Sequence, residues 1–368
     1  MSPKSFSAFL ATGLALSFVG SSSGAVAKGY TTSNFALSIE GGSPAFIKSV
    51  SGGEPRAEVV SESAGSASTE NKHLGAVSYT PMVIQAPVTE SQGLIERAFS
   101  TDGKSFSGEV SSLDHNYKVV VKRSFQDAIV TEFSLSQLDA TDGKTPAMVM
   151  VKLQPVFTKR QQGGGESLPG TIGTKQKASL SSNFRLSLGG LPTARVSKIE
   201  PITIKRSLAV SSSGEARRRE VEEGRMVHGD LVIEVSALDA AAYQEYLESF
   251  VVKGNNGDDK ELSGRVELLD PTLQKVLFAM EAKGVGIYHI EELAAAEDKV
   301  ATIRCRFYVE QWVPVFDGKS SAEAAPAPTK TPSNTASTPP ASATAKPTTR
   351  QPGTFTPANP DLKKPIQR

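Results

Sequence analysis

The side chains that most often bind metals or transfer protons are few and scattered in this chain. Its four histidines, His73, His115, His228 and His289, form no His-x-x-x-His pair, the spacing that places two imidazoles on one face of a helix. The single cysteine, Cys305, excludes an intramolecular disulfide framework and a cysteine-rich zinc site. We therefore expect no metal centre, and we expect the histidines to be surface residues.

The glycine-rich and acidic motifs also lack the residues that a phosphate-binding, catalytic or calcium site requires. Gly103-Lys104-Ser105 lacks the upstream glycine of a phosphate-binding loop, and no Gly-x-Ser-x-Gly elbow occurs. The neighbouring acids Glu291-Glu292 would point to opposite faces of a strand. Gly254–Asp259 lacks the spaced oxygen ligands of a calcium loop, so we interpret it as a helix-to-strand turn. With no convergent acid, base or nucleophile, the sequence predicts neither an enzyme nor a cofactor.

A basic triplet, Arg217-Arg218-Arg219, could contact phosphate or RNA. The acids Glu220, Glu222 and Glu223 follow it, however, and this alternation is typical of a solvated loop or helical turn. The whole chain has 40 Lys and Arg against 39 Asp and Glu, a net charge of +1. Such a balance gives no support for a nucleic-acid groove or for binding to acidic lipid.

The elements that would position any site occur twice. Residues 107–114 read Ser-Gly-Glu-Val-Ser-Ser-Leu-Asp, and residues 263–270 read Ser-Gly-Arg-Val-Glu-Leu-Leu-Asp. Two upstream segments repeat with one offset of 149 residues, from 33 to 182 and from 82 to 231. Downstream, we match Phe133 and Leu138 with Tyr288 and Leu293. Because solenoid repeats run roughly 20–50 residues, this pattern predicts a duplicated domain, which suits a chain of 368 residues.

Each copy is predicted to be mostly β with one helix. Short apolar or alternating runs predict the following strands: Phe35–Ile39, Ala45–Val50, Tyr79–Val88, Ala147–Leu153, Asp230–Val235 and Ala301–Val309. In the last of these, Ile303, Cys305, Phe307 and Val309 share one face, so we expect a buried and inert thiol. In the matching strand the outer face carries Met148 and Met150 beside Lys152, which predicts cover by another domain or subunit.

The two predicted helices each carry an apolar stripe at helical spacing. In the second copy it comprises Tyr243, Tyr246, Leu247 and Phe250, and in the first Leu94, Ile95, Ala98 and Phe99. Ser236 and Ser91 are the predicted N-caps. We expect both stripes to pack onto the sheets rather than to form a ligand shelf.

The remaining segments are polar or resemble targeting signals. Residues 1–27 resemble an export signal with small residues, Ala25 and Ala27, at the cleavage site. Segments 51–71 and 211–229 are predicted to be mobile polar loops that act at an assembly contact. The predicted order is signal 1–27, domain 30–160, flexible linker 161–177, domain 178–317 and a Pro/Thr/Ala-rich disordered tail 318–368. No apolar run after the signal reaches the roughly 20 residues needed to cross a bilayer.

A set of short motifs lies within Tyr30–Arg160 of the first copy. They are Ser78-Tyr79-Thr80-Pro81, Asn116-Tyr117-Lys118, Phe125 with Ala128, Glu132 and Phe133, Leu138-Asp139-Ala140, and Gln154-Pro155. In these motifs the first copy resembles bacteriophage tail-tube proteins, whereas the second copy, Ser182–Val315, keeps only the order of elements.

This resemblance implies two tandem tail-tube-like β-sandwich or barrel domains, each with one flanking helix. It also implies self-assembly into rings, in which three chains could form a pseudo-hexamer, with tube or baseplate-like proteins as possible partners. The export signal predicts a periplasmic, cell-surface or secreted protein. If residues 1–27 do not act as a signal, the protein would assemble in the cytoplasm. The alternative function is an exported binding module or adhesin with the Pro/Thr-rich tract as its stalk.

Overall fold

A computed structural model describes residues 34–40, 42–63, 70–168, 179–211, 220–294, 300–316 and 319–320. The predicted signal with Ala25 and Ala27, the Arg217–Arg219 triplet, linker residues 169–177 and the C-terminal tract from 321 lie outside these residues. We call 34–168 the first half and 179–320 the second half.

The first half contains eleven described strands and one helix. The strands are β1 Asn34–Ile39, β2 Ala45–Ile47, β3 Ser49–Ser51, β4 Pro55–Ser63, β5 Glu70–Tyr79, β6 Met82–Pro87, β7 Phe106–Leu113, β8 Val119–Leu135, β9 Leu138–Asp139, β10 Met148–Gln154 and β11 Phe157–Gln162. Helix α1, Gln92–Phe99, follows a short 3₁₀ turn, Val88–Glu90. Strands β4 and β5 form a separate two-stranded hairpin.

The second half is built in the same way. Its described strands are β12 Phe184–Leu188, β13 Val196–Ile199, β14 Ile202–Ser211, β15 Glu220–His228, β16 Leu231–Ser236, β17 Leu262–Leu269, β18 Val276–Leu293, β19 Thr302–Phe316 and β20 Lys319–Ser320. Helix α2, Ala240–Leu247, follows a 3₁₀ turn and continues as a π-helical turn, Glu248–Val252.

Strand order is the same in the two halves. The first sheet runs β1-β7-β8-β10-β6-β3, and the second runs β12-β17-β18-β19-β16-β13. Bulges also fall at matching places, between Phe106 and Gly108 on β7 and between Leu262 and Gly264 on β17. Positions in the halves can therefore be matched through the register of their strands.

The apolar faces of both sheets meet in one continuous core. The alternating residues Val149, Val151 and Leu153 of β10 are fully buried, as are Cys305 and Phe307 of β19. Helix α1 lies against β8 and also against β19 of the second half, whereas α2 packs on β18. The two predicted apolar stripes face this core, with Leu94, Ile95, Ala98, Tyr243 and Phe250 buried and the remaining members packed against it. None of the described helices is long and apolar enough to span a bilayer.

The predicted loops and linker need correction. Segments 51–71 and 211–229 contain much of two hairpins, β4–β5 and β14–β15, rather than loops throughout. The β4–β5 hairpin is exposed along most of its length and β14–β15 is covered on one face only in part, so neither shows the full alternation that marks a half-buried strand. The predicted linker 161–177 begins within β11, because Gln161 and Gln162 pair with Lys122 and Val121 in the sheet.

Two finer predictions also need correction. Phe133 is buried opposite Val151, whereas Tyr288 is half exposed and is bulged out of register. The counterpart of Phe133 is Ile290, because Val151 and Cys305 correspond and lie opposite Phe133 and Ile290. Ser91 occupies the N-cap position of α1 as predicted, but its side chain makes no capping hydrogen bond, since its hydroxyl donates to the Pro87 carbonyl instead. Ser236 does accept a hydrogen bond from the Leu238 N–H, as predicted for a cap.

Candidate assembly interface

The two halves are joined by strand pairing. The start of β14 in the second half pairs antiparallel with the end of β8 in the first: Ile202 lies opposite Leu135, Thr203 opposite Ser134, Ile204 opposite Phe133 and Lys205 opposite Glu132. The β14–β15 hairpin thereby extends the first sheet. Main-chain pairing of this kind satisfies edge N–H and C=O groups that would otherwise face solvent.

A second ladder reinforces the junction. Strand β9 pairs with β13, placing Asp139 opposite Lys198 and Leu138 opposite Ile199. The Ala140 N–H donates to the Ser197 carbonyl at 2.9 Å. The halves therefore contact each other through two sheet edges as well as through the core.

Arg206 of β14 ties the hairpin to the first-half helix. Its Nη2 donates to the Ser100 carbonyl at 2.5 Å, just beyond the end of α1, where a cation complements the helix dipole. Its Nη1 lies 2.6 Å from Glu223 Oε1, at an angle that makes the contact an ion pair rather than a hydrogen bond. This contact is buried, so the arginine is compensated where water does not reach it.

The outer face of the junction is polar. Ser134 and Thr203 hydroxyls lie 3.1 Å apart across the β8–β14 pair. In the second sheet Arg304 donates from Nη2 to Glu234 Oε1 at 2.8 Å, and Lys198 approaches the same carboxylate at 3.5 Å. The opposite charges on neighbouring strands stabilise the observed register of this face. Met148 and Met150, predicted to be covered, are half-buried within this single chain.

The β4–β5 hairpin presents an apolar face to solvent. Val59 lies opposite Leu74, and Ala57 lies opposite Val77; the Leu74 side chain is 72% exposed. The base of the hairpin is fixed: Gly52 adopts φ +81°, and a Cβ there would collide with the Pro81 carbonyl. Thr158 also donates to the Gly53 carbonyl at 2.6 Å. An anchored hairpin with exposed apolar residues is typical of an interaction surface.

The second half has an exposed counterpart. From Gly286 to Leu293, β18 pairs with β19 on one side, and no described strand pairs with its other edge. Tyr288 on this segment is 43% exposed. At the end of the helix Val251 and Val252 also face solvent, Val252 at 75%. Together these features form an open sheet edge beside an apolar surface.

The residues considered for catalysis or metal binding lie apart from one another. His73 is on β5, His115 in the turn after β7, His228 at the end of β15 and His289 on β18. Within the described residues no group of three His, Cys, Asp or Glu side chains could hold a metal ion. Lys104 belongs to a turn in which its N–H donates to Asp102. His228 is not a surface residue, because it is half-buried and its Nδ1 accepts a hydrogen bond from the backbone N–H of Trp312 at 3.2 Å.

Sequence reasoning missed the residues that form the junction. Arg206 carried no signal, and Glu223 was interpreted as part of a solvated charge run although it forms the buried ion pair. Alternation indicates which face a side chain takes but not which element covers it. The exposed face of Leu74 and Val77 could have been found as apolar residues within a polar segment.

No family model and no curated protein matches the chain. Solved structures similar to it are components of contractile injection systems and Hcp proteins. One is the tube-terminating cap of the anti-feeding prophage, with 16% identity, a TM-score of 0.34, and coverage of 40% of this chain and 100% of that one. Another is from the PVC sheath-tube complex in its extended state, with 17% identity, a TM-score of 0.33, and coverage of 37% and 94%. A third is Hcp1 from Flavobacterium johnsoniae, with 17% identity, a TM-score of 0.25, and coverage of 36% and 96%.

Proposed function

We propose that this protein is a non-catalytic structural subunit that assembles with copies of itself into rings, each chain supplying two duplicated tail-tube-like units. The observation that carries the proposal is the β8–β14 pairing. It joins two sheets of the same strand order head to tail, with different surfaces on the two sides of the contact. A contact of this type generates a closed ring when the rotations between successive copies add up to a full turn.

Three chains would then supply six units, giving a pseudo-hexameric ring. The sequence resemblance to tail-tube proteins supports this stoichiometry, and the stacking of rings or their attachment to tube and baseplate-like proteins is part of the same proposal. We place the assembly outside the cytoplasm because residues 1–27 fit an export signal.

Size-exclusion chromatography with light scattering on the purified chain tests the proposal. We expect three times the mass of the purified chain, which is 38.9 kDa with the signal segment included, or a multiple of that value. Negative-stain electron microscopy of the same fraction should show rings. A monomer at every concentration would contradict ring assembly and would favour the exported binding module instead.

A further inference from the structure

The two hairpins are constructed alike but meet different surroundings. Pro55 pairs with Tyr79 as Ile204 pairs with His228. In each hairpin two further residue pairs follow along the ladder, and a β-bulge comes directly after them. Ala57 therefore corresponds to Arg206, Val77 to Met226 and Leu74 to Glu223.

In the second hairpin this face is covered by the first half: Arg206 is buried and Met226 packs against the core. In the first hairpin the same face is exposed.

The surface that covers the second hairpin also has a match. On β8 the bulge opposite Lys152 and Leu153 leaves Thr131 unpaired, and on β18 the bulge opposite Arg306 and Phe307 leaves Tyr288 unpaired. Thr131 lines the same shallow pocket as Arg206 and Met226 at the junction. Tyr288 occupies the corresponding position on an open edge.

The two helix ends explain why the docking face of β14–β15 carries charged residues and the matching face of β4–β5 carries apolar ones. The end of α1 leaves the Ser100 carbonyl for Arg206. The end of the second helix is capped by its own chain, with Lys253 N–H donating to Glu248 and Asn255 N–H to Ser249. A hairpin docking there needs no cation, and the exposed Val251 and Val252 offer apolar surface instead. Ala57 and Leu74 suit this surface.

We propose that the β4–β5 hairpin of one copy docks onto the β18 edge and the adjacent helix end of a second copy. The contact repeats between chains what β14–β15 does within the chain, and the inference rests on the proposed ring assembly. In matched register Arg56 lies opposite His289, as Lys205 lies opposite Glu132. Pro55 takes the place of Ile204 and supplies a carbonyl but no N–H. The ladder between chains is therefore shorter, and apolar burial contributes more of the affinity.

Leu74→Glu tests the apolar part of this interface in the full chain. Because the side chain is exposed, the variant should fold with an unchanged circular dichroism spectrum. We expect the dissociation constant for self-association, measured by mass photometry across a dilution series, to rise at least about tenfold. Leu238→Glu is the matched control: this leucine is 74% exposed but lies at the other end of the helical segment, and it should leave the constant unchanged.

A disulfide tests the register. Residues directly opposite each other on paired antiparallel strands have Cβ atoms about 4.5–5.5 Å apart, near enough for a bridge after small adjustment. A mixture of the Arg56→Cys chain and the His289→Cys chain should form a covalent heterodimer under mild oxidation. Arg56→Cys mixed with Val300→Cys, a cysteine at an exposed position outside this edge, should not.

The outcomes separate this inference from the proposed function. If the native chain assembles while Leu74→Glu assembles equally well, or no Arg56–His289 cross-link forms, the docking surface is wrong and ring assembly stands. If the native chain is monomeric at every concentration, both fail. A cross-link together with weakened assembly of Leu74→Glu supports both.

Discussion

The guanidinium of Arg206 and the carboxylate of Glu223 form a buried ion pair, with Nη1 and Oε1 2.6 Å apart. Both residues belong to the β14–β15 hairpin, yet the same arginine donates to a carbonyl of the first half at Ser100. The pair therefore links the hairpin's own structure to the contact between the two halves. Its first-half counterparts, Ala57 and Leu74, carry no charge.

Arg206→Ala should lower the free energy of unfolding by about 3–5 kcal/mol, because it leaves Glu223 as an uncompensated, largely buried charge. Urea unfolding followed by tryptophan fluorescence measures this loss. The double variant Arg206→Ala with Glu223→Leu copies the uncharged pair of the other hairpin and should recover most of it. If the double variant is as unstable as the sum of its single changes, the two side chains are not coupled.

The elements predicted best from sequence are those with one buried face. Alternation identified β16 and the buried residues of β19, and helical spacing identified the stripe that contains Tyr243 and Phe250. These patterns survive because burial is imposed within each half. The hairpins were missed because their strands are covered unevenly, by the other half or not at all. The match of Phe133 with Tyr288 failed because two aromatic residues suggested an equivalence that the register does not have. The counterpart of Tyr288 is Thr131, the unpaired residue of the equivalent bulge on β8.

Phe250→Ala should reduce the free energy of unfolding by about 3–5 kcal/mol, since it removes a buried ring from the core. The ring packs between Tyr246 and Tyr308, with centroid distances of 5.3 and 6.3 Å. Chemical denaturation measures the change, and Leu238→Ala at an exposed site should stay within about 0.5 kcal/mol of the native chain. A loss below about 1 kcal/mol for Phe250→Ala would place its ring outside the core.

Cys305 should resist thiol reagents in the folded protein. Burial raises the pKa of its thiol to about 12, so the reactive thiolate is scarce at pH 8, and the side chain is fully buried. We expect 5,5′-dithiobis(2-nitrobenzoic acid) to label the native chain only as fast as it unfolds, and to label it at once in denaturant. Rapid stoichiometric labelling without denaturant would show that the thiol is accessible.

Acid should destabilise the protein partly through His228. Burial lowers the pKa of this imidazole below its usual value of about 6.5, and its Nδ1 accepts a hydrogen bond from the Trp312 N–H only when unprotonated at that atom. As pH falls below about 6.5 the unfolded chain binds this proton before the folded chain does. The contribution to stability is therefore complete above that pH and is lost as pH falls toward the lowered folded-state pKa.

His228→Asn keeps an acceptor near Nδ1 but cannot titrate, so its free energy of unfolding should change less between pH 7.5 and pH 5.5 than that of the native chain. Equal changes in the two proteins, measured by urea denaturation at both pH values, would exclude His228 as a source of the acid sensitivity.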